Sequence, residues 1–173
     1  MDWRKIEGYW TEKDQALNTH LAEQIPDGTI VSIGVGKGRA LAALAEAFRQ
    51  AGKLSAVTLV GVDYFYKGTF PEAAANLAEV PKLRLVKGNT IDAAADFPDG
   101  TLAAVFVDHG LDYETYKATI AAWRPKLREG GILCGHDYQP AWPGVVQAVD
   151  EACPEGVRTF HTAWCQYPEA TPQ

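Results

Sequence analysis

The apolar positions of the chain fall into short runs that are separated by segments with helical spacing. Continuous apolar runs predict strands buried on both faces, because a half-exposed strand would alternate apolar and polar residues. The segments between the runs place apolar residues three and four positions apart, as at Leu41, Leu44 and Phe48, which predicts amphipathic helices. The predicted strands are residues 29–33, 57–62, 83–86, 102–107, 132–135, 157–160 and 163–167.

Strands that alternate with helices indicate a parallel sheet with helices on both faces. The last two strands predict an antiparallel hairpin at the sheet edge, and Gly130 and Gly131 predict a turn into the fifth strand. The first 25 residues predict a helical segment somewhat separate from the sheet. We therefore expect a single α/β domain over residues 1–173, with a doubly wound, mainly parallel sheet of about seven strands. The predicted helices are residues 11–24, 38–51, 71–79, 90–95, 113–123 and 143–153.

Composition and charge narrow the class of protein. Hydrophobic residues make up 47% of the 173 residues and charged residues 22%, which is typical of a globular domain. The net charge of −6 argues against a nucleic-acid surface. The apolar runs are too short for a membrane span, and the N-terminus lacks the apolar stretch of a signal peptide, so we expect a cytoplasmic protein. The three cysteines lack metal-binding spacing and are expected to be reduced and buried.

A glycine-rich turn follows the first predicted strand, with Gly34, Gly36 and Gly38 at its centre. Glycines at such a turn let a ligand approach the backbone, and the following helix offers free amides. A dinucleotide fingerprint would need glycine or alanine where this chain has Arg39, and a Walker loop would need serine or threonine after Lys37. Both nucleotide-phosphate interpretations are therefore disfavoured.

Polar side chains also end the second, fourth and fifth strands. Asp63 can accept both hydroxyls of a ribose, or it can cap a helix; the glycine turn one strand earlier favours the ribose. Asp108 and the pair His136–Asp137 follow the next two strands. Because parallel strands finish at one edge, we expect Gly34 and the three aspartates to line one crevice.

The aspartates and the histidine of this edge allow more than one chemistry. Asp108, His136 and Asp137 can hold a divalent cation; carboxylates suit magnesium or calcium, and the histidine shifts the preference toward manganese, iron or zinc. His136 can instead act as a metal-free general base, or simply be hydrogen-bonded at a strand end. His109 can wall a cofactor pocket. These alternatives stay open on the residues alone.

Four aromatic residues lie near segments that could cover this crevice. They are Tyr9, Trp10, Trp142 and Trp164. Core packing is the expected role of each.

Four segments resemble class I S-adenosylmethionine-dependent methyltransferases. The resemblance is strongest to the small branch related to macrocin and catechol O-methyltransferases and to cephalosporin-hydroxylase-like proteins. It covers most of residues 29–153 and implies a Rossmann-like fold. The segments are IVSIGVGKGRA, VGVDYF, AAVFVDHGLDYETYKATIAAWRPKLREGGILCGHDY and PGVVQAVDEA.

The resemblance implies roles for individual residues. Asp108, His136 and Asp137 would form the catalytic and metal-binding set. Ser32 departs from the family, which usually has an acidic residue there, and His136 stands where the catechol-type enzymes have an aspartate ligand, so magnesium, manganese, another metal or none remains open. The implied cofactor contacts are Gly34, Gly36, Gly38, Asp63, Tyr64, Asn89, Thr90, Asp108 and His109.

We therefore expect methyl transfer from S-adenosyl-L-methionine to a hydroxyl of a small molecule or sugar, assisted by a divalent cation. The alternatives are a nicotinamide-dependent oxidoreductase and a non-catalytic S-adenosylmethionine-binding protein. A small-molecule acceptor is the expected partner, with no nucleic acid and no membrane. The chain leaves little room for a segment that covers the acceptor, so a second copy in a homo-oligomer is a candidate for closing the site.

Overall fold

The structure, a computed structural model, describes residues 2–166. Five α-helices and seven strands make up its regular elements. The helices are α1 (Gln15–Gln24), α2 (Arg39–Gln50), α3 (Phe70–Asn76), α4 (Tyr113–Trp123) and α5 (Pro143–Ala152). The strands are β1 (Gly28–Ile33), β2 (Val57–Asp63), β3 (Leu83–Lys87), β4 (Leu102–Val107), β5 (Leu127–Gly135), β6 (Val157–Phe160) and β7 (Ala163–Gln166). Short 3₁₀ turns occupy Trp3–Lys5, Leu54–Ala56, Tyr66–Gly68, Asp92–Asp96 and Arg124–Lys126.

The strands form one sheet in the order β3-β2-β1-β4-β5-β7-β6. The first five strands of that order are parallel, and β7 pairs antiparallel with both β5 and β6. This confirms the predicted Rossmann-like, mainly parallel sheet with an antiparallel C-terminal hairpin. Tyr167, predicted as the end of the last strand, lies outside the described residues. The central parallel strands carry their carboxyl ends to one edge, and the candidate site lies there.

Helices cover both faces of the sheet, which explains the unbroken apolar runs. Ile30 and Phe106 point into the core beneath α1 and α2, whereas Val31 and Val105 point into the core beneath α4 and α5. Every residue of β4 is buried. A strand enclosed in this way has no polar face, so its sequence cannot alternate.

The predicted turn at Gly130 and Gly131 is wrong. Strand β5 begins at Leu127, and the two glycines lie inside it. Gly130 has a φ of +68°, and the pairing with β4 shifts register between Leu102 and Ala104, opposite this stretch. Leu102 pairs with Leu127 and Ala104 with Ile132, so an irregularity in the β4–β5 ladder accommodates the glycines without ending the strand.

The prediction that the N-terminal segment is separate from the sheet is also wrong. Residues 2–14, here called the N-terminal strap, cross the carboxyl edge of the sheet. Trp3, Ile6 and Trp10 are buried in the core under α2. Arg39 holds the strap by donating hydrogen bonds to the carbonyl oxygens of Trp10 at 2.6 Å and Ile6 at 2.7 Å. The strap is therefore part of the walls of the candidate site.

Two further sequence expectations bear on the whole chain. All three cysteines, at positions 134, 153 and 165, are free and buried, as predicted. Within residues 2–166, no helix has the length and apolar character needed to cross a bilayer.

Candidate active site

The glycine turn begins at Gly34, directly after β1. Its φ is +90°, and a Cβ atom there would lie 2.0 Å from the carbonyl oxygen of Asp108. The Gly34 amide donates to the carbonyl of Val62 at 2.9 Å, and the Asp108 amide donates to the carbonyl of Ile33 at 2.8 Å. Only glycine fits this position, because the backbone of the neighbouring strand end occupies the space of a side chain.

Asp63, at the end of β2, binds the glycine turn through its carboxylate. Oδ2 accepts hydrogen bonds from the amides of Val35 at 2.7 Å and Gly36 at 2.8 Å, and Oδ1 accepts one from Phe65 at 2.6 Å. A carboxylate has about four acceptor positions, so three amides leave capacity for a ligand hydroxyl. Asp63 therefore fixes the turn and can still bind a ligand.

Tyr64 and His109 follow β2 and β4, the two neighbours of β1. Their rings lie 6.0 Å apart between centroids, so they approach each other across the end of β1. Burial lowers the pKa of His109, although the charges of Asp63 and Asp112 oppose the shift. The lowered pKa favours the neutral form of His109, and its place in the wall of a cofactor pocket stays a prediction.

Asp108, His136 and Asp137, here called the Asp–His–Asp cluster, meet at the ends of β4 and β5. Their candidate ligand atoms all lie within 4.8 Å of one another. His136 Nδ1 is 3.3 Å from Asp137 Oδ1 and 3.8 Å from Asp108 Oδ1. The two carboxylate side chains remain 21–29% exposed, whereas the His136 side chain is 6% exposed. The cluster is thus open to ligands on its carboxylate side.

The cluster perturbs its own ionisation. Burial raises the pKa of Asp108 to about 6, with the charge of His136 opposing and that of Asp137 adding to the shift. Burial lowers the pKa of His136, but the nearby carboxylates of Asp137 and Asp14 and the negative charge of Asp108 outweigh that effect and raise the pKa to about 10. The surplus of carboxylates over imidazole makes this edge favourable for positive charge.

Buried hydrogen bonds support the backbone beneath the cluster. The Tyr116 hydroxyl lies 3.1 Å from the carbonyl oxygens of both Val107 and His136, and it accepts a bond from Trp164 Nε1 at 3.0 Å. The His136 amide donates to the Val107 carbonyl at 3.0 Å. The ends of β4 and β5 are therefore held in fixed register, which positions the side chains that follow them.

Asp14 and Thr162 are site residues that the sequence analysis missed. Asp14 is fully buried, and its pKa lies well below the usual range: burial raises it, but the nearby imidazole of His136 and the hydrogen bonds from Thr11 and His161 outweigh that penalty. The Thr162 hydroxyl lies 3.0 Å from both Asp14 Oδ1 and His136 Nε2. No local motif marks either residue, because their contact joins positions 148 residues apart.

Residues 31–138 match a family described as a methyltransferase domain. This segment contains the glycine turn, Asp63 and the whole Asp–His–Asp cluster, and it makes up more than half of the chain. The chain belongs to the class I S-adenosylmethionine-dependent methyltransferases. The family's cofactor is S-adenosyl-L-methionine. No curated protein sequence matches this chain significantly.

Several solved structures share the fold of this methyltransferase. The O-methyltransferase NovP is 20% identical, with a TM-score of 0.74 over 90% of this chain and 79% of its own. CalS11, a TDP-rhamnose 3'-O-methyltransferase of calicheamicin biosynthesis, is 22% identical, with a TM-score of 0.66 over 88% and 76%. An S-adenosylmethionine-dependent O-methyltransferase from Thermotoga maritima is 17% identical, with a TM-score of 0.65 over 93% and 66%. At these identities the likeness concerns the fold.

The residues of the methyltransferase fit its cofactor. Gly36 has a φ of +54°, and a Cβ atom there would meet no atom of residues 2–166 within 4 Å, which leaves the backbone open to a ligand. The Thr90 hydroxyl is buried and finds no hydrogen-bond partner in the part of the chain that the structure describes. The Gly88 amide binds the Asp63 carbonyl at 3.0 Å, so the loop after β3 adjoins Asp63. An open backbone and an unpaired buried polar atom fit contact with a ligand such as the cofactor.

The Asn89 side chain forms hydrogen bonds within its own loop of the methyltransferase. Its side-chain oxygen accepts hydrogen bonds from the amides of Ile91 at 2.8 Å and Asp92 at 3.1 Å. These bonds shape the loop after β3. Contact of Asn89 with the adenine therefore stays a prediction, as do the cofactor roles of the other residues named from the sequence.

Ser32 stands where the family usually has an acidic residue, and its side chain contacts the chain's own backbone. Its hydroxyl is buried and donates to the Gly34 carbonyl at 3.2 Å. The side chain thus supports the glycine turn from beneath.

The aromatic predictions are partly wrong. Trp10 and Trp164 are buried as predicted, and the Trp10 ring lies 5.4 Å from that of His136. Tyr9 is 94% exposed and Trp142 is 37% exposed, so neither is core. The reason is position: both lie on segments that cross or leave the carboxyl edge, where no second layer covers them.

Proposed function

We propose that this methyltransferase transfers the methyl group of S-adenosyl-L-methionine to a hydroxyl oxygen of a small molecule or sugar. The observation that carries the proposal is the Asp–His–Asp cluster, which lies beside the glycine turn. Methyl transfer to a nitrogen needs no such concentration of carboxylates, whereas an alcohol must lose its proton when it attacks. A site that favours positive charge suits that proton loss.

The cofactor would lie across the ends of β1, β2 and β4. Asp63 accepts hydrogen bonds from the ribose hydroxyls through its remaining acceptor capacity, and the glycine turn passes around the methionine end. The cofactor supplies a sulfonium-bound, electrophilic methyl group. The proposed contacts are those of Gly34, Gly36, Gly38, Asp63, Tyr64, Asn89, Thr90, Asp108 and His109.

The Asp–His–Asp cluster would orient the acceptor. Asp108 or Asp137 accepts the hydrogen bond of the acceptor hydroxyl, holds its oxygen in line with the methyl group, and takes up the proton as the oxygen–methyl bond forms and S-adenosylhomocysteine leaves. The same three side chains would hold a divalent cation, such as magnesium or manganese, which would lower the pKa of that hydroxyl. Two carboxylate oxygens and one imidazole nitrogen form a donor set that suits manganese as well as magnesium.

The acceptor is proposed to carry an apolar face. Exposed aromatic side chains occur around the carboxyl edge of the sheet: Tyr9 on the strap, Tyr64 and Tyr66 after β2, and Trp142 after β5. Large exposed apolar groups in one region are typical of binding surfaces. The O-methyltransferase names of NovP and CalS11 support a hydroxyl acceptor, and that of CalS11 supports a sugar. A homo-oligomer that completes this side and a cytoplasmic location stay predictions.

A transfer assay tests the proposal. Labelled S-adenosylmethionine is incubated with the protein and a panel of nucleotide sugars, catechols and amines, and methylated products are identified by mass spectrometry. We expect methylation of oxygen. Because a cation would activate the hydroxyl, we expect turnover to fall at least about 100-fold after chelation and to return with manganese or magnesium.

Each contrary result has a distinct meaning. Unchanged turnover after chelation would contradict the metal-assisted step while leaving O-methylation intact. Methylation of amines alone would contradict the hydroxyl acceptor. Tight S-adenosylhomocysteine binding without transfer to any acceptor would favour a non-catalytic binding protein.

Replacing the exposed aromatic ring of the strap tests the acceptor side. We expect Tyr9→Ala to raise KM for the acceptor by roughly 5- to 50-fold, which corresponds to about 1–2 kcal/mol of lost apolar contact. The kcat value and the affinity for S-adenosylhomocysteine should not change, because Tyr9 is 94% exposed and supports no core contact. Gln50→Ala, at the exposed end of α2 on the opposite edge of the sheet, is the control and should leave KM unchanged. An unaltered KM in Tyr9→Ala would place the acceptor elsewhere.

A further inference from the structure

His136 is held from behind by residues that come from the two ends of the chain. Asp14 precedes α1 at the end of the strap, and Thr162 forms the turn between β6 and β7. Both lie outside residues 31–138, the segment that matches the methyltransferase family. This support therefore comes from segments that lie outside the part of the chain matched by the family.

The Asp14 carboxylate is saturated with donors. Oδ2 accepts hydrogen bonds from the amide and hydroxyl of Thr11. Oδ1 accepts bonds from the Thr162 amide at 3.2 Å and the Thr162 hydroxyl at 3.0 Å, and it lies 2.9 Å from His161 Nδ1. This many donors around a fully buried carboxylate stabilise its ionised form. An ionised carboxylate is an acceptor only.

The acceptor-only character of Asp14 sets the direction of the next hydrogen bond. The Thr162 hydroxyl has a single proton, and it donates that proton in its hydrogen bond to Asp14 Oδ1. Its oxygen can then only accept from His136 Nε2, which lies 3.0 Å away, so Nε2 must carry a proton. The direct separation of His136 Nε2 from Asp14 Oδ2, 3.7 Å, is too long for a hydrogen bond. The hydroxyl of Thr162 is thus the necessary link.

We propose that Asp14 and Thr162 are positioning residues that keep a proton on His136 Nε2 and so fix the ring with Nδ1 turned toward the two carboxylates of the site. Nδ1 faces the two carboxylates of the cluster, at 3.3 Å from Asp137 and 3.8 Å from Asp108. A buried carboxylate that fixes the ring of a histidine through its far nitrogen is a common way to set which nitrogen binds a metal or substrate. What Nδ1 then does rests on the proposed function.

Nitrogen-15 NMR of the imidazole rings tests the proton's position without any substrate. The His136 signals are assigned by their loss in His136→Gln. We expect a protonated Nε2 in the wild-type protein, with an exchange-protected Hε2 resonance. In Thr162→Val, which removes the hydroxyl but keeps the shape, we expect that protection to disappear; Thr162→Ser should retain it. An unprotonated Nε2 of His136 in the wild type would overturn the proposal, whatever the Thr162 variants showed.

Kinetics provide the second readout. Loss of a group that orients a site histidine typically costs about 10- to 100-fold in activity or metal affinity. We expect Thr162→Val and Asp14→Asn to lower kcat by that factor without changing the affinity for S-adenosylhomocysteine, and Thr162→Ser to restore kcat. Thr159→Val, in the same hairpin, is the matched control and should behave as wild type. Equal kcat in Thr162→Val and wild type would overturn the positioning role.

The two readouts separate this inference from the proposed function. If the wild-type protein transferred no methyl group to any acceptor, the proposed function would fail, while the NMR result would still decide where the His136 proton lies. If transfer occurred but Nε2 were unprotonated, the proposed function would stand and the positioning role would fall.

Discussion

Gly36→Ala is expected to remove most of the cofactor affinity while the fold loses only about 1 kcal/mol. The stability cost is the penalty for a left-handed alanine at a φ of +54°. A Cβ atom there meets nothing within 4 Å among residues 2–166, so packing adds no further cost. The same Cβ would fill the space through which the cofactor is proposed to approach the turn. A steric cost of roughly 1–3 kcal/mol raises the dissociation constant about 10- to 100-fold.

Calorimetry with S-adenosylhomocysteine and thermal unfolding measure the two effects separately. Gly52→Ala is the matched control, because its φ is +70° and a Cβ there also meets nothing within 4 Å in the described chain, but it follows α2 at the opposite edge of the sheet. It should lose similar stability and keep full affinity. If Gly36→Ala bound S-adenosylhomocysteine as tightly as wild type, the cofactor would not pass over this turn. Its proposed position across the ends of β1, β2 and β4 would then be wrong.

Sequence pattern predicted the central elements of the fold well, because burial on both faces leaves an unambiguous signature. The apolar run of β4 and the helical spacing of α4 give the observed bounds, Leu102–Val107 and Tyr113–Trp123. Prediction failed at Gly130 and Gly131, where glycines that usually mark a turn instead lie in an irregular stretch within β5. Such an irregularity depends on the pairing with β4, and a local pattern does not contain that partner.

Some residues of the candidate site could be predicted from the sequence and others could not. Asp63, Asp108 and Asp137 could be found because the topology of a parallel sheet brings strand ends together whatever the loops do. Asp14 and Thr162 could not, since each reaches His136 only after the strap and the C-terminal hairpin have packed on the sheet. The strand-end residues that meet at the candidate site were thus visible in the sequence, whereas Asp14 and Thr162 reach them only through tertiary contacts between distant segments.

Asp137→Gly is expected to abolish most of the turnover and leave the fold intact. Asp137 has a φ of +64°, in the left-handed region that glycine adopts freely. The relief of backbone strain offsets the greater flexibility of glycine, so the free energy of unfolding should stay within about 1 kcal/mol of wild type. The carboxylate that faces His136 Nδ1 at 3.3 Å is lost. Groups that handle the acceptor proton contribute about 10²- to 10⁴-fold to the rate, and we expect kcat to fall by that factor.

Asp137→Gly is informative because it should keep the free energy of unfolding while it lowers kcat. A residue kept in a strained conformation for folding alone would show the reverse pattern. Asp137→Asn, which tolerates the same φ and keeps the size of the side chain, should lose activity similarly because the charge is what acts on the acceptor. Lys82→Gly, at an exposed left-handed residue with a φ of +52°, controls for the backbone change and should keep full activity. Activity near wild type in both Asp137 variants would exclude this carboxylate from the chemistry and leave Asp108 and His136 as the acceptor-binding groups to be tested next.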